Sequence, residues 1–365
     1  MKEKAAKKRK RKLKGWTKIA IVVISLLLVV AIVLGAGYGV YKSYYNKMNY
    51  EETVARTEFG RCMRRVLEGD MRELMYAEHV YNVLLIGQDT RVEGENRYSD
   101  TMILVSVNES TEQIVLTSFM RDSWVHIPGY GAERINKAYE LGGADLLIDT
   151  IETNFHIRID NYVAIDFFAF IELVDALGGV EITISEEERI VLNDPYIFYM
   201  NRLLGHPEGQ DYVEHSGLNT LNGVQTLCYA RIRYLAGSDF ARTERQRKVI
   251  TSIFEKFKDC NVPEMLEVVE VVLPHITTNI DENTMFKLIT NSAIEYTDYE
   301  MIQNRVPYDN TYWNWINEVT GETKDVLSVD LETNTNYLIR DIYGIDFAES
   351  DSQDEETESE EWLEE

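Results

Sequence analysis

A run of 23 uncharged residues, Ile19–Tyr41 (IAIVVISLLLVVAIVLGAGYGVY), places the strongest limit on what this chain can fold into. As a helix it would reach roughly 34 Å, enough to cross a hydrocarbon layer of about 30 Å with slight tilt. Trp16 on one flank and Tyr38, Tyr41, Tyr44 and Tyr45 on the other suit the two interfacial belts of a bilayer. Residues 1–18 hold ten Lys/Arg and one acid. That excess predicts a cytoplasmic N-terminus, a single pass through the cytoplasmic membrane, and residues 42–365 outside. The competing reading is a cleaved signal peptide, because small residues follow the apolar run. The run is longer than an h-region of about 7–15 residues and shows no clear A-x-A site, so an uncleaved anchor is the expectation.

Charge follows the same division. The whole chain of 365 residues has a formal net charge of −25. Residues 1–18 contribute +9, residues 349–365 carry ten acids and no base, and the body between them holds −24. A phosphate backbone is held by Lys and Arg, so a body this acidic argues against a nucleic-acid partner. The 45% apolar content allows a large core. Cys62, Cys228 and Cys260 have no C-x-x-C spacing, so neither a disulfide framework nor a zinc site is visible. The resulting domain plan is a basic cytoplasmic tail (1–18), a transmembrane helix (19–41), a helical membrane-proximal connector (42–79), an extracellular globular domain (80–345) and a disordered acidic tail (346–365).

Within the outer portion, Asn82–Ile86, Met102–Val107 and Gln113–Phe119 read as strands, the last two joined as a hairpin across Asn108–Thr111. Ala144–Phe155 and Phe167–Leu177 read as helices, the second stopped by Gly178-Gly179, with strands at Asn161–Ile165 and Val180–Ile184. Residues 186–220 read as irregular, followed by helices near 220–232 and 240–258. Strands alternating with helices predict an α/β class, a central sheet layer flanked by helices.

The chemistry-bearing residues gather at element ends. Asp89 follows the first strand and Asp100 precedes the second, where a hard cation could bridge two loop-end carboxylates. Turn and cap roles explain the same residues without a metal. Arg121-Asp122 follows the third strand and can reach the same rim; an ordinary surface ion pair is the alternative. From Asp239, steps of three and four give Arg242, Gln246, Val249 and Ile253, with Arg245 beside them. The arginines therefore occupy the first turns of a stripe that becomes the buried apolar face. Guanidinium groups at a helix N-terminus suit a phosphate or pyrophosphate. Arg–Asp pairing in the core remains the alternative. G-x-S-x-G, H-E-x-x-H, Walker and G-x-G-x-x-G motifs are not found in the sequence.

Taken in order, the strings NVLLIGxD, SDTMIL, SFMRDS, INKAYxxGG, DALGGV, LNGVQxLxYARxR and SDFARTxRQ, across residues 80–258, resemble the LytR-CpsA-Psr family. The resemblance implies an α/β domain with a lipid-holding channel. It also implies a phosphotransferase that moves a glycopolymer, such as teichoic acid or capsule, from a polyprenyl-pyrophosphate carrier to peptidoglycan. Asp89 and Asp100 match the family's magnesium-binding acids. Arg121, Arg231, Arg233, Arg242, Arg245 and Gln246 match its pyrophosphate-binding set. Arg97 resembles another member of that set, set one residue out of register by Tyr98. Met120 stands where proline is usual, and Cys228 where alanine is common. Asp122 or Asp239 would be the general base, with Arg121 beside them at the reacting phosphate. Channel candidates are Leu147, Ile148, Ile151, Phe155, Phe167, Phe168 and Phe170, each equally readable as core. Two other readings stand beside the enzyme: a non-catalytic polyprenyl-phosphate-binding wall-assembly protein, and a transcriptional attenuator.

Overall fold

The computed structural model describes residues 39, 41–51, 73–89, 98–235, 238–259, 264, 268, 270–294, 296, 299–316 and 323–346. All of the expected membrane span except Gly39 and Tyr41 lies outside these residues, as do most of the connector and the acidic tail beyond Asp346. Among the described residues no helix is long and apolar enough to cross a membrane. The chain divides into residues 1–47 and residues 48–365. In the first, residues 41–45 are helical.

The second unit is organised by a seven-stranded sheet. Its strands are β1 (Asn49–Tyr50), β2 (Val80–Asp89), β3 (Tyr98–Asn108), β4 (Gln113–Phe119), β7 (Asn161–Asp166), β10 (Thr277–Thr278) and β11 (Glu300–Val306). They lie in the order β1-β10-β7-β2-β3-β4-β11. The hairpin expected at 108–111 joins β3 and β4, with Asn108 opposite Gln113. β7 runs parallel to β2 and β11 parallel to β4, so the sheet is mixed. β1 lies within the segment expected as a helical connector and pairs with β10 instead. A four-stranded sheet, ordered β12-β13-β5-β6, is made of β5 (Ser123–Ile127), β6 (Gly131–Arg134), β12 (Tyr312–Ile316) and β13 (Thr323–Val329).

Alternation along the strands gives the main sheet two apolar faces. On one face Leu84, Ile86, Met102 and Leu104 pack with Leu147, Ile151 and Phe155 of α1 (Lys137–Phe155) and with Leu338 and Ile342 of α8 (Leu331–Tyr343). α1 breaks at Gly142–Gly143, where Gly143 takes φ 66°, so its regular part begins at the expected Ala144. On the other face Leu85, Ile103 and Val105 meet Ile250 and Phe254 of α6 (Ser238–Asp259).

A second apolar cluster forms where α2 (Phe167–Ala176) and α5 (Gly223–Ala230) pack with α6 and the antiparallel pair β8 (Val180–Ile184) and β9 (Gly217–Leu221). Asp166 caps α2 by accepting from Ala169 N, and Asn222 with Gln225 closes a capping box on α5. Residues 186–220, expected to be irregular, hold α3 (Glu186–Val191), a π-helical turn (Leu192–Ile197), α4 (Phe198–Leu204) and β9. Their polar residues and Pro195 conceal short elements that this second cluster stabilises from outside. α7 (Glu282–Ile294) lies between β10 and β11 in the chain.

α2 and α5 approach backbone to backbone. A Cβ on Gly223 would lie 2.2 Å from the Ile171 carbonyl oxygen, and Gly223 N–H donates to Asp175 Oδ1 at 2.7 Å. Gly223→Ala must therefore push the two helices apart. It is expected to lower stability by about 1–3 kcal/mol, read as a lower urea midpoint at unchanged slope.

Candidate active site

The β2–β3 ladder changes register at its end. Gly87 faces Thr101, whereas Gln88 faces Ser99, so Asp100 is the unmatched residue of a bulge. Bulges re-aim side chains, and Asp100 here lines a large cavity beside β4's exit. Arg121, just beyond β4, donates through Nη1 to Asp100 Oδ1 at 2.9 Å and through Nε to Asp122 Oδ2 at 3.4 Å. Burial opposes the Arg121 charge, but Asp100 and Asp122 outweigh it and hold its pKa above the ordinary value.

Across this corner lies the N-terminus of α6. Asp239 accepts from Arg233 Nε at 3.1 Å and Nη2 at 3.2 Å, and Arg242 Nη1 sits 2.9 Å from its Oδ1. Asp122 and Asp239 are hydrogen-bonded to each other, and their environments push them apart. Burial, then the hydrogen bond and charge of Asp239, raise the Asp122 pKa against Arg121 and Arg134. For Asp239 burial acts the same way. The hydrogen bond with Asp122 and the charges of Arg242, Arg121 and Arg233 outweigh it and hold that carboxyl low. Of the two, Asp122 is the carboxylate that holds a proton more readily, and Asp239 the one that stays charged among the arginines.

Arg242 is 2% exposed, and its Nε and Nη2 donors are buried without a hydrogen-bond partner. Burial and then the neighbouring Arg121 charge bring its pKa down to about 10. A buried guanidinium with unmet donors is costly, and an anion seated at the cavity end would meet them. Arg231 caps the C-terminal end of α5 and lies 4.4 Å from the Phe167 ring centroid. Arg231, Arg233, Arg242 and Gln246 all line the cavity.

That cavity measures about 1660 Å³, larger than the roughly 300–1000 Å³ of pockets for small molecules. Its polar end carries Asp100, Arg121, Asp122 and the arginines above. Glu133, Asn136, Lys137, Asp166 and Asp325 add further polar lining, and the apolar wall is made by Phe167, Phe170 and Leu173 of α2, Leu227 of α5, and Val249 and Ile253 of α6. One enclosure therefore suits an amphiphile with an anionic head and a long apolar tail.

Three expectations need correction. Ile148, Ile151 and Phe155, with Leu147, sit in the core on the opposite face of the sheet and line no part of this cavity. Helical spacing shows that α1 has a buried stripe but not which face of the sheet it covers. Phe168 is exposed and points away from the wall that its neighbours Phe167 and Phe170 form. Arg245 does not line the cavity either: its Nε donates to Glu188 Oε1 at 2.8 Å and its Nη1 to the Ile232 carbonyl at 3.2 Å. It holds the turn that carries Arg231 and Arg233. Arg97 lies outside the described residues, as does the side chain of Asp89, whose backbone pairs with Tyr98.

Sequence reasoning missed Trp124, Arg134 and Tyr196, which also line the cavity. Arg134 Nη1 lies 3.5 Å from Asp122 Oδ1, and Tyr196 Oη accepts from Arg233 N–H at 2.7 Å. No local motif marks them. The apolar wall on α6 was legible, because Val249 and Ile253 continue the arginine stripe.

Among the described residues no group of three or more His, Cys, Asp or Glu gathers to cage a metal. Magnesium does not require one, since it is usually held by one or two carboxylates with substrate phosphates completing the shell. Asp100, turned toward the cavity by the bulge, is a carboxylate of the kind that donor set uses; the side chain of Asp89 lies outside the described residues.

A sequence model of the LytR_cpsA_psr family matches residues 39–335. The chain is 28% identical over 335 residues to the polyisoprenyl-teichoic acid–peptidoglycan teichoic acid transferase TagT of Bacillus subtilis (strain 168), covering 88% of this chain and 98% of that one. It is 31% identical over 289 residues to biofilm regulatory protein A of Streptococcus mutans serotype c (strain ATCC 700610 / UA159), covering 74% and 66%. Among solved structures, TagT bound to LI-WTA superposes with a TM-score of 0.57 at 25% identity, over 75% of this chain and 95% of that one. With the family model spanning most of its length, the chain belongs to the LytR-CpsA-Psr family.

Proposed function

We propose that this chain is a membrane-anchored transferase that moves a glycopolymer from a polyprenyl-pyrophosphate carrier onto peptidoglycan. One observation carries the reading: a buried arginine–carboxylate cluster closes one end of a single large apolar cavity. A polyprenyl pyrophosphate has that same division of head and tail. The relative named as a teichoic acid transferase supports a teichoic-acid-like polymer as the cargo. The 19–41 run would anchor the protein with its N-terminus in the cytoplasm and residues 42–365 outside.

In this reading the prenyl tail packs against the α2 and α6 side chains, and the diphosphate lies among Arg121, Arg231, Arg233 and Arg242. Arg242's unmet donors would bond phosphate oxygens, and the guanidinium groups would stabilise charge that grows on the transferring phosphoryl and the departing phosphate. Asp122 would accept the proton of an acceptor sugar hydroxyl as that oxygen bonds to the sugar-side phosphorus. The bond from that phosphorus to the bridging oxygen breaks, and the lipid leaves as a monophosphate. Asp239 would hold Arg233 and Arg242 in place throughout. Magnesium, held by Asp100 and Asp89, would supply countercharge to the diphosphate.

The direct test supplies the full chain, in detergent, with a polyprenyl-pyrophosphate-linked glycan, glycan strands and Mg²⁺, and measures polyprenyl monophosphate released. Arg233→Ala and Asp100→Ala are each expected to slow release by about 10²–10³-fold. A parent protein that retains the lipid yet releases none would be a carrier instead. The Asp122–Asp239 pairing gives a pH signature. The base works deprotonated, so activity falls as pH drops through the raised Asp122 pKa. Asp239→Asn removes a neighbouring negative charge, so the acidic limb of kcat/KM should move to lower pH. Arg242→Met should cost about 10²–10³-fold in turnover and lower the Tm of the empty protein only slightly, because the lost pair with Asp239 is offset by the removal of buried unmet donors and Asp239 keeps Arg233.

A further inference from the structure

We propose that the outer face of the four-stranded sheet is the docking surface for the acceptor glycan, a β-linked amino-sugar strand, and leads its hydroxyl to Asp122. This rests on the transferase reading above.

The ladder register builds the surface. Trp313 pairs with Ser328, Ser328 with Trp124, and Trp124 with Arg134, so one row crosses all four strands with its side chains on one face. Ser123, Val125 and Ile127 are buried on the other face of β5, leaving Trp124 and His126 on the outer side. Trp315, two residues beyond Trp313, brings its ring to 6.1 Å from that of Trp124. Trp313 is 57% exposed, which is unusual for so large an apolar side chain. Trp313 and Trp124 stand two strands apart, about 9.5 Å. That spacing is close to two sugar units of an extended β-linked strand, so the two rings would meet alternate sugars, which present the same face. Pyranose rings present C–H faces that lie against the negative face of an aromatic ring, while Ser328, His126 and Arg134 supply hydrogen bonds for ring substituents.

The row also ends in the right place. Trp124 and Arg134 line the cavity mouth, and Arg134 Nη1 is 3.5 Å from Asp122 Oδ1. Leu327 N–H donates to the Asp122 carbonyl at 2.9 Å, tying β13 to the same residue. A sugar stacked on Trp124 is therefore beside the group that would take its proton. A second protein is a poorer occupant. Four strands of about five residues present on the order of 300 Å², short of the roughly 800 Å² per partner in a stable protein interface.

The test titrates the full chain in detergent with chitohexaose by calorimetry and tryptophan fluorescence, comparing the parent with Trp313→Ala and Trp313→Phe. We expect Trp313→Ala to bind about tenfold more weakly, a loss of ~1.4 kcal/mol, at unchanged Tm, with Trp313→Phe restoring most of the affinity. In the transfer assay Trp313→Ala should raise the acceptor KM and leave cleavage of the donor by water unchanged. The proposal is overturned if the parent does not bind chitohexaose, or if Trp313→Ala binds it as the parent does. It is also overturned if donor cleavage falls in step with transfer, or if Trp313→Ala only turns a dimer into a monomer. A parent that binds chitohexaose through Trp313 but transfers nothing would sink the transferase reading and leave this surface standing.

Discussion

The polar end of the cavity depends on one carboxylate. Asp239 is shared between Arg233 and Arg242, hydrogen-bonds Asp122, and stands at the start of the helix whose other turns wall the cavity. Its charge lets two guanidinium groups converge near Arg121 where like charges would otherwise separate. The arrangement is satisfied only in part, because Arg242 keeps buried donors unmet. A site of this kind stores unfavourable electrostatic energy in the empty protein and releases it when an anion arrives. The net charge of −25 gives no hint of it. Local burial decides what a guanidinium experiences, and the acidic surface around it is screened by water.

Much of the scaffold was readable from pattern alone. The β2, β3 and β4 strands, the hairpin between the last two, and the regular part of α1 lie where period and turn residues put them. The α6 stripe gave both halves of the site, arginines first and cavity wall after, because a helix of known phase has only one inward face. The failures share a cause. Ile148, Ile151 and Phe155 are buried as their spacing says, but burial on a two-faced sheet does not say on which side. Arg245 shares the stripe with Gln246, yet Glu188 lies 57 residues away in sequence and takes the guanidinium out of the cavity. Trp124 and Arg134 matter because strands far apart in the chain pair side by side. No window of sequence contains that fact.

The two sheets divide the work between them. The seven-stranded sheet separates a solid core, filled by α1 and α8, from a cavity side that α2, α5 and α6 cover without filling. The close approach of α2 and α5 at Gly223 fixes two of the cavity's walls against each other through backbone atoms, so the space does not depend on side chains holding apart. The smaller sheet brings polar and aromatic groups to the mouth. Hydrophobic burial is thus spent on one side of the main sheet and withheld on the other, where something else can supply it.

The parallel pairing of β5 with β13 has a consequence for how the protein is made. Ser123 meets Leu327 across roughly two hundred intervening residues, and the Leu327 amide is bonded to the Asp122 carbonyl. Synthesis from the N-terminus delivers Asp100, Arg121 and Asp122 early, but the strand that braces them arrives among the last segments to emerge. Until then the charged corner lacks one wall. The charged corner is therefore completed late, when nearly the whole domain has been made.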